Sequence, residues 1–181
     1  MNVLSRVGLC LLLAGVASGA EKLEPAAEFI HEDAAGKLEM VGNVAVVITG
    51  DDRFLCRLAE DVIAISLLGE GIKLAYPEQA YLGTERDDDD KTPSGIAKAA
   101  GANVLVTGTL LTEGCECADC GQYQHKCAGP CRSTKVSIAS LSIVDVPLDK
   151  TLVWALYEPE TPVSVTRVAQ AFAGKFLSAL K

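Results

Sequence analysis

From residue 43 to the end, apolar segments alternate with short polar breaks that contain Gly, Pro or Asp. The first apolar segment, 44–49, is mostly β-branched and continuous, which is typical of a strand covered on both faces. Gly50 ends this strand, and Asp51 and Asp52 can cap the helix that we expect to begin near Arg53. Apolar residues then recur at spacings of three, four and three, which predicts one stripe packed against a sheet. The predicted stripe consists of Leu55, Leu58, Val62 and Ile65.

The same alternation continues to the carboxyl terminus. In chain order the later elements are predicted as a strand at 72–75, a helix at 94–100, a strand at 102–111, a hairpin of 135–146 and 151–157, and a final helix that begins at Thr161-Pro162. Because 135–146 alternates with period two, we expect Val136, Ile138 and Ser140 to share one face. Proline is favoured at the first position of a helix. The buried stripe of the final helix is predicted to be Val165, Val168, Ala169, Phe172, Phe176 and Ala179.

This element order predicts an α/β (α+β layered) fold in which helices cover one mixed sheet. We expect about five strands, two or three packed helices and a C-terminal helix. The predicted organisation is a signal peptide at 1–20, a flexible arm at 21–42, and one α/β domain at 43–181 with a cysteine-rich loop at 112–134. Within the arm, 24–35 is predicted to be helical.

The first twenty residues have the composition of an export signal. Arg6 precedes an apolar run at 7–16, and small residues at Ser18 and Ala20 fit cleavage after Ala20. The run is too short to span a bilayer, and no later segment reaches about 20 apolar residues, so we expect no transmembrane segment in the mature chain. Cys10 precedes its Leu run instead of following it, so a lipid anchor is not favoured. We therefore expect a periplasmic or secreted protein.

Composition and charge exclude some classes of function. Apolar residues make up 49% of the 181-residue chain and charged residues 22%, which is enough to build a core. The formal net charge of −8 opposes binding to nucleic acid, since phosphate recognition needs a basic face. The like charges of Asp87–Asp90 repel one another and predict an exposed loop.

Several segments together resemble a known family. The chain resembles the periplasmic domain shared by CsgG, the LpoB-type activators of penicillin-binding proteins, and the amino-terminal domain of TolB. The segments that carry this resemblance are the first strand, the helix that ends in Gly, the segment 71–74 with 77–79 after it, and the segment 96–109. The hairpin segments 143–146 and 150–155 also resemble that family. The resemblance implies a non-enzymatic envelope protein that works through contacts with an envelope protein partner. It transfers no functional residue onto a position of this chain.

Five cysteines and one histidine lie close together in the predicted loop. With Cys56 they make six cysteines after removal of Cys10, and the oxidising compartment of an exported protein favours disulfides. Six cysteines allow 15 pairings, so the connectivity stays open, although at least one loop cysteine must pair with Cys56 or stay unpaired. A disulfide-stapled recognition loop is the favoured interpretation. The disulfide candidates are Cys56, Cys115, Cys117, Cys120, Cys127 and Cys131.

The same loop has two other interpretations. Thiolates and an imidazole are ligands that Zn²⁺ and Cu⁺ accept, although only Cys117 and Cys120 form a CxxC pair. The metal ligands would then be Cys115, Cys117, Cys120, His125, Cys127 and Cys131. A thiol redox catalyst would place its CxxC at the start of a helix, but no apolar helical stripe follows Cys120.

Other catalytic signatures are missing from the sequence. It contains no dinucleotide fingerprint and no phosphate-binding Gly-Lys-Ser/Thr loop. The two histidines, His31 and His125, give poor support for a Ser-His-Asp triad. Asp51 and Asp52 lie where α/β sheets often bind ligands, but helix capping is favoured. The leading hypothesis is an exported, non-enzymatic accessory module without a cofactor that binds an envelope protein, and the alternative is a periplasmic metal-binding protein that uses the loop for Zn or Cu.

Overall fold

The computed structural model describes residues 23–36, 42–75, 92–112 and 135–180. These residues form six strands, a short 3-10 helix at Glu32–Ala34, and three α-helices. The strands are β1 (Ala27–Ile30), β2 (Val44–Gly50), β3 (Val104–Thr112), β4 (Lys135–Asp145), β5 (Lys150–Tyr157) and β6 (Val163–Ser164). The helices are α1 (Arg53–Gly69), α2 (Pro93–Ala99) and α3 (Val165–Leu180). None of these helices is long and apolar enough to cross a membrane.

One mixed sheet joins the six strands in the order β1-β5-β4-β3-β2, and β6 pairs with the start of β4. β2 and β3 run parallel, and α1 and α2 lie between them in the chain. All the other neighbouring pairs are antiparallel. The predicted α+β class, with a mixed sheet and a C-terminal helix, is confirmed.

Helices cover the two faces of the sheet unequally. α1 and α3 pack together on one face and enclose the main core. Its largest fully buried side chains include Leu55, Ile63, Leu67, Leu141, Tyr157, Phe172 and Phe176. α2 packs mainly against β2 and β3 on the second face, where a smaller apolar cluster forms around Val47, Ile96 and Leu105. The rest of the second face lies outside every described helix.

The two long helices test the predicted stripes differently. All six residues predicted for the buried stripe of α3 are buried. In α1, Leu55 is fully buried and Leu58 and Val62 are partly buried, but Ile65 is 69% exposed. The prediction for Ile65 is wrong because α1 carries apolar residues on both sides, so a spacing of three and four fits two stripes.

Three predicted element boundaries are also wrong. The stretch 24–35 is not helical, because β1 pairs with β5 and is followed by the 3-10 helix. The strand predicted at 72–75 reduces to one bridge between Leu74 and Val44. The final helix begins at Val165, two residues after Val163 has paired with β4.

The predicted face of β4 is wrong as well. Val136 is buried in the main core, whereas Ile138 and Ser140 lie on the opposite face. The register against β3 shifts between Ile138 and Val136, so Ser137 is an extra residue. Such a bulge reverses the faces of the residues beyond it, because side chains alternate with a period of two.

Candidate functional site

Most of the predicted site residues lie outside the described residues. These are the disulfide or metal candidates Cys115, Cys117, Cys120, His125, Cys127 and Cys131, together with the signal peptide, Cys10 and the segment Asp87–Asp90. The disulfide and metal interpretations of the loop therefore stay predictions. In the part of the chain that the structure describes, no three His, Cys, Asp or Glu side chains come together to hold a metal ion.

Cys56 lies on α1, where the parallel strands β2 and β3 end. It is a free thiol and only 6% exposed. A Cβ atom built on Gly50 would lie 3.0 Å from Cys56 Sγ and 2.3 Å from the carbonyl oxygen of Leu110, so glycine is needed at Gly50 for this packing. Burial, followed by the charges of Glu60, Asp51 and Asp52, raises the pKa of Cys56 to about 11. Because only a thiolate is a good nucleophile or metal ligand, Cys56 is poorly suited to either role.

Asp51 and Asp52 fix the backbone beside this thiol. Asp52 Oδ1 accepts the N–H groups of Phe54 at 2.9 Å and Leu55 at 3.1 Å, which confirms the predicted helix cap. Asp51 accepts the N–H and the hydroxyl of Thr112, at 3.1 and 3.0 Å. It therefore holds the end of β3 at the first residue of the predicted cysteine-rich loop. Both carboxylates thus have structural partners, but only Asp52 caps α1. The cap predicted for Asp51 is wrong, because its side chain binds Thr112 instead.

His31 also has a structural role. Its Nδ1 atom accepts the N–H of Asp33 at 3.1 Å and caps the 3-10 helix. Its ring lies edge-on to Phe29, with the ring centroids 6.1 Å apart. The interactions of His31 are therefore those of a side chain that orders its own segment.

A groove of about 490 Å³ lies between residues 23–25 and α3. The residues that line it include Leu23, Glu24, Tyr157, Arg167, Gly174 and Lys175. Lys175 forms an ion pair with Glu28 of β1. Burial, and then the charges of Glu28 and Glu24, raises the pKa of Tyr157 to about 12, so its phenol is neutral at physiological pH. The lining of the groove therefore combines apolar side chains and a neutral phenol with the charged groups of Glu24, Arg167 and Lys175.

Large apolar side chains are exposed along the outer side of α1. Phe54 is 53% exposed, Ile65 is 69% exposed and Leu68 is 50% exposed. With the partly buried Leu58 and the exposed Asp61, they occupy positions separated by four, three, four and three residues, which places them on one side of a helix. We call these five residues the α1 stripe. Monomeric proteins rarely group apolar side chains in this way, and such patches usually mark interaction sites.

Among the described residues, a second surface without a covering helix is the part of the sheet beyond α2. Strand register places directly paired residues on the same face. One row consists of Phe29, Trp154, Ser142 and Thr107, and the next consists of Ala27, Leu156, Ser140 and Thr109. We call these eight residues the open sheet face. It combines exposed aromatic rings with hydroxyl groups, and it carries no charged side chain.

The sequence reasoning missed both surfaces. The signal for the first was available, because Phe54, Leu58, Ile65 and Leu68 form a second helical stripe beside the buried one. The signal for the open sheet face depends on strand order, which brings β1 beside β5. No local pattern in the sequence contains that pairing.

Comparison with known proteins gives similarity at the level of solved structures. No family model and no curated protein matches the sequence. The chain is similar to PelC from Paraburkholderia phytofirmans, solved as a dodecamer, at 16% identity over 85% of this chain and 94% of that chain, with a TM-score of 0.44. It is similar to the LpoB C-terminal domain from Escherichia coli at 13% identity over 67% and 84% of the two chains, with a TM-score of 0.41.

A lipoprotein from Neisseria meningitidis is also similar, at 15% identity over 77% of this chain and 99% of that chain, with a TM-score of 0.38. The similar structures thus include the LpoB domain that the sequence resembles, while the resemblance to CsgG and to TolB stays a prediction. At these identities and TM-scores, the likeness assigns no function to the chain.

Proposed function

We propose that this protein is an exported, non-enzymatic accessory module that works through contacts with envelope proteins. The observation that carries the proposal is the α1 stripe, in which Phe54, Ile65 and Leu68 are each at least half exposed. Fully burying one large apolar side chain contributes about 1.5–3 kcal/mol, so covering three half-exposed ones contributes about 3 kcal/mol together. A partner that covers the stripe gains this energy without any rearrangement of α1.

The export signal at 1–20 and the resemblance to envelope domains support the location in this proposal. In this proposal the predicted loop at 112–134 acts as a disulfide-stapled recognition tip. Asp51 supports this role, because it fixes Thr112 where the loop begins. In the mature, oxidised protein, counting of titratable thiols with and without a chelator tests the staple. Because Cys56 is a free thiol, the five loop cysteines are expected to form two disulfides and leave one titratable loop thiol, with no bound metal. Stoichiometric Zn or Cu, with most loop thiols titratable after chelation, would support the metal-binding alternative instead.

The contact surface can be tested by photo-crosslinking in native cells. A photoreactive amino acid replaces Ile65 in the full chain, and the control replaces Thr166, an exposed residue on α3. We expect the chain in the envelope fraction without its first twenty residues, with protein adducts that form from position 65 and not from position 166. A second chain with Ile65→Glu and the crosslinker at position 68 should form several-fold fewer adducts, because the charge disrupts apolar contact.

Retention of the chain in the cytosol would contradict the proposal. Adducts of equal yield from positions 65 and 166 would also contradict it, because the stripe would then have no contact preference. The fold of each variant is checked by its circular dichroism spectrum and melting temperature.

A further inference from the structure

We propose that one partner of the α1 stripe is a second copy of this chain, with the stripe of one copy packed on the open sheet face of the next. This inference rests on the proposed function and names the partner. The two surfaces lie on opposite sides of the protein, because α1 packs on the face of the sheet that the open sheet face turns away from. A contact between two different surfaces of identical chains is heterologous, and it links copies head to tail into rings or filaments.

The charge at the centre of the stripe opposes a symmetric contact between two α1 helices. Asp61 lies midway between Phe54 and Leu68. An antiparallel pair related by a two-fold axis would place Asp61 opposite Asp61 of the partner subunit, inside a contact that excludes water. Two like charges in such a place are unfavourable, since each loses hydration without gaining a counterion. The stripe therefore fits a surface that differs from itself.

The open sheet face carries hydroxyl groups and aromatic rings that can contact the carboxylate and the apolar side chains of the α1 stripe. Ser140, Ser142 and Thr107 occupy its middle strands, and hydroxyl groups can rotate to donate hydrogen bonds to a carboxylate. Phe29 and Trp154 are directly paired at one side of the same face, and they are 51% and 36% exposed. Asp61 would thus meet hydroxyl groups, while the apolar residues of the stripe would meet aromatic rings. No charged side chain of the open sheet face would repel Asp61.

The α1 stripe is longer than the open sheet face is wide. Phe54 and Leu68 are fourteen positions apart, which corresponds to about 21 Å along the helix axis. The eight residues of the open sheet face lie on β1, β5, β4 and β3, and the three spacings between these strands correspond to about 14 Å. A helix that crosses the strands can therefore span the whole width of the open sheet face.

The test uses the full chain, purified after export, and measures mass in solution by analytical ultracentrifugation. Ile65→Glu places a charge in the stripe, and Thr109→Glu places one on the open sheet face, where it would also repel Asp61 of the neighbouring copy. Both residues are exposed in the protomer, so the fold should survive either change. We expect the unmodified chain and the matched control Thr166→Glu to associate, and the association constant of each test variant to fall at least a hundredfold.

An equimolar mixture of the two variants distinguishes the two kinds of contact. The Thr109→Glu chain has an intact stripe and the Ile65→Glu chain has an intact sheet face, so a heterologous contact predicts one heterodimer that grows no further. An unmodified chain that stays monomeric at 100-fold its concentration in the cells used for crosslinking would overturn the inference. Association that either variant alone leaves unchanged, or a mixture that forms no heterodimer, would overturn it too. The adducts formed from position 65 in cells would still test the proposed function, because they report contact with any envelope protein.

Discussion

A buried carboxylate accepts a backbone N–H at the β2 edge of the sheet. β2 is the last strand in the sheet order, and Ile48 within it donates its N–H to Glu60 Oε1 at 2.8 Å. The other oxygen of Glu60 lies 3.2 Å from Arg57 Nη1, and Glu60 is only 2% exposed. Unpaired N–H groups on edge strands promote pairing with other chains. Glu60 therefore occupies one N–H group that would otherwise be open to another strand at this edge.

Replacement of Glu60 tests this role. We expect Glu60→Ala to lower the free energy of unfolding by about 3 kcal/mol, because the N–H of Ile48 loses its partner inside the protein and Arg57 loses its ion pair. Glu60→Gln keeps an acceptor oxygen and should cost about 1 kcal/mol. Urea denaturation measures both values. The control is Asp61→Ala, an exposed neighbour that should change stability by less than about 0.5 kcal/mol; equal effects of Glu60→Ala and Asp61→Ala would contradict the assignment.

The environment of Cys56 predicts that its thiol reacts slowly with alkylating agents. Its pKa is raised from 9.0 to about 11, so at pH 8 it holds about a hundredfold less thiolate than an unperturbed thiol. We expect iodoacetamide to alkylate Cys56 at least a hundredfold more slowly in the folded chain than in urea, with a rate that rises about tenfold per pH unit up to pH 11. Peptide-resolved mass spectrometry measures the rate at Cys56 apart from the other cysteines. A plateau in the folded-state rate near pH 9 would show that the thiol is not perturbed.

The helices and strands show why some predictions held and others did not. The buried stripe of α3 was predictable because residues such as Arg167, Gln170 and Lys175 mark its other side as polar. α1 has apolar residues on both sides, so the pattern could not tell the side that packs on the sheet from the α1 stripe. In β4, the extra residue Ser137 reverses the faces, and no local feature of the sequence announces it.

The candidate site was predictable only where local chemistry decides it. The cap at Asp52 follows from its position just before a helix, and the sequence alone placed it. The contact of Asp51 with Thr112 joins residues 61 positions apart, so it depends on the parallel pairing of β2 and β3. The open sheet face depends even more on topology, since its aromatic pair joins the first strand to the fifth.

Two glycines provide a matched test of packing between elements. A Cβ atom at Gly108 of β3 would lie 2.3 Å from the carbonyl oxygen of Ser140 and 3.0 Å from Cε2 of Phe172, which packs there from α3. A Cβ atom at Gly174 of α3 would have no such neighbour within 4 Å. We expect Gly108→Ala to lower the free energy of unfolding by about 2–3 kcal/mol through overpacking. Gly174→Ala should raise it by about 0.5–1 kcal/mol, because alanine favours helix.

Thermal and urea unfolding of the two glycine variants measure these opposite changes. The comparison separates the close approach of α3 to the sheet from the general effect of adding a methyl group. If Gly108→Ala were as stable as Gly174→Ala, α3 would not pack on β3 as closely as the structure shows.

At the scale of the whole molecule, the N-terminal segment is attached at one edge of the sheet. β1 pairs with β5 alone, whereas β3 and β4 each have neighbours on both sides. Two ion pairs reinforce the attachment: Glu28 with Lys175 of α3, and Asp33 with Lys150 of β5 at 2.5 Å. Ala34 is fully buried and Leu23 packs against the main core. The segment thus belongs to the sheet but has fewer contacts than the central strands, so it should open before they do.

Hydrogen exchange tests this order of opening. In the native protein, amides of β1 should exchange at least tenfold faster than amides of β3 and β4, because local opening of an edge strand leaves the central strands intact. Lys175→Met should raise the exchange rate of β1 several-fold by removal of the ion pair with Glu28, since a partly exposed pair contributes up to about 1 kcal/mol. The rates in β3 should not change.

Thr166→Val is the control on α3, because it changes an exposed residue of the same helix and leaves that ion pair in place. Equal acceleration of β1 and β3 by Lys175→Met would show that β1 opens only with the whole domain, and that its ion pairs stabilise the fold globally.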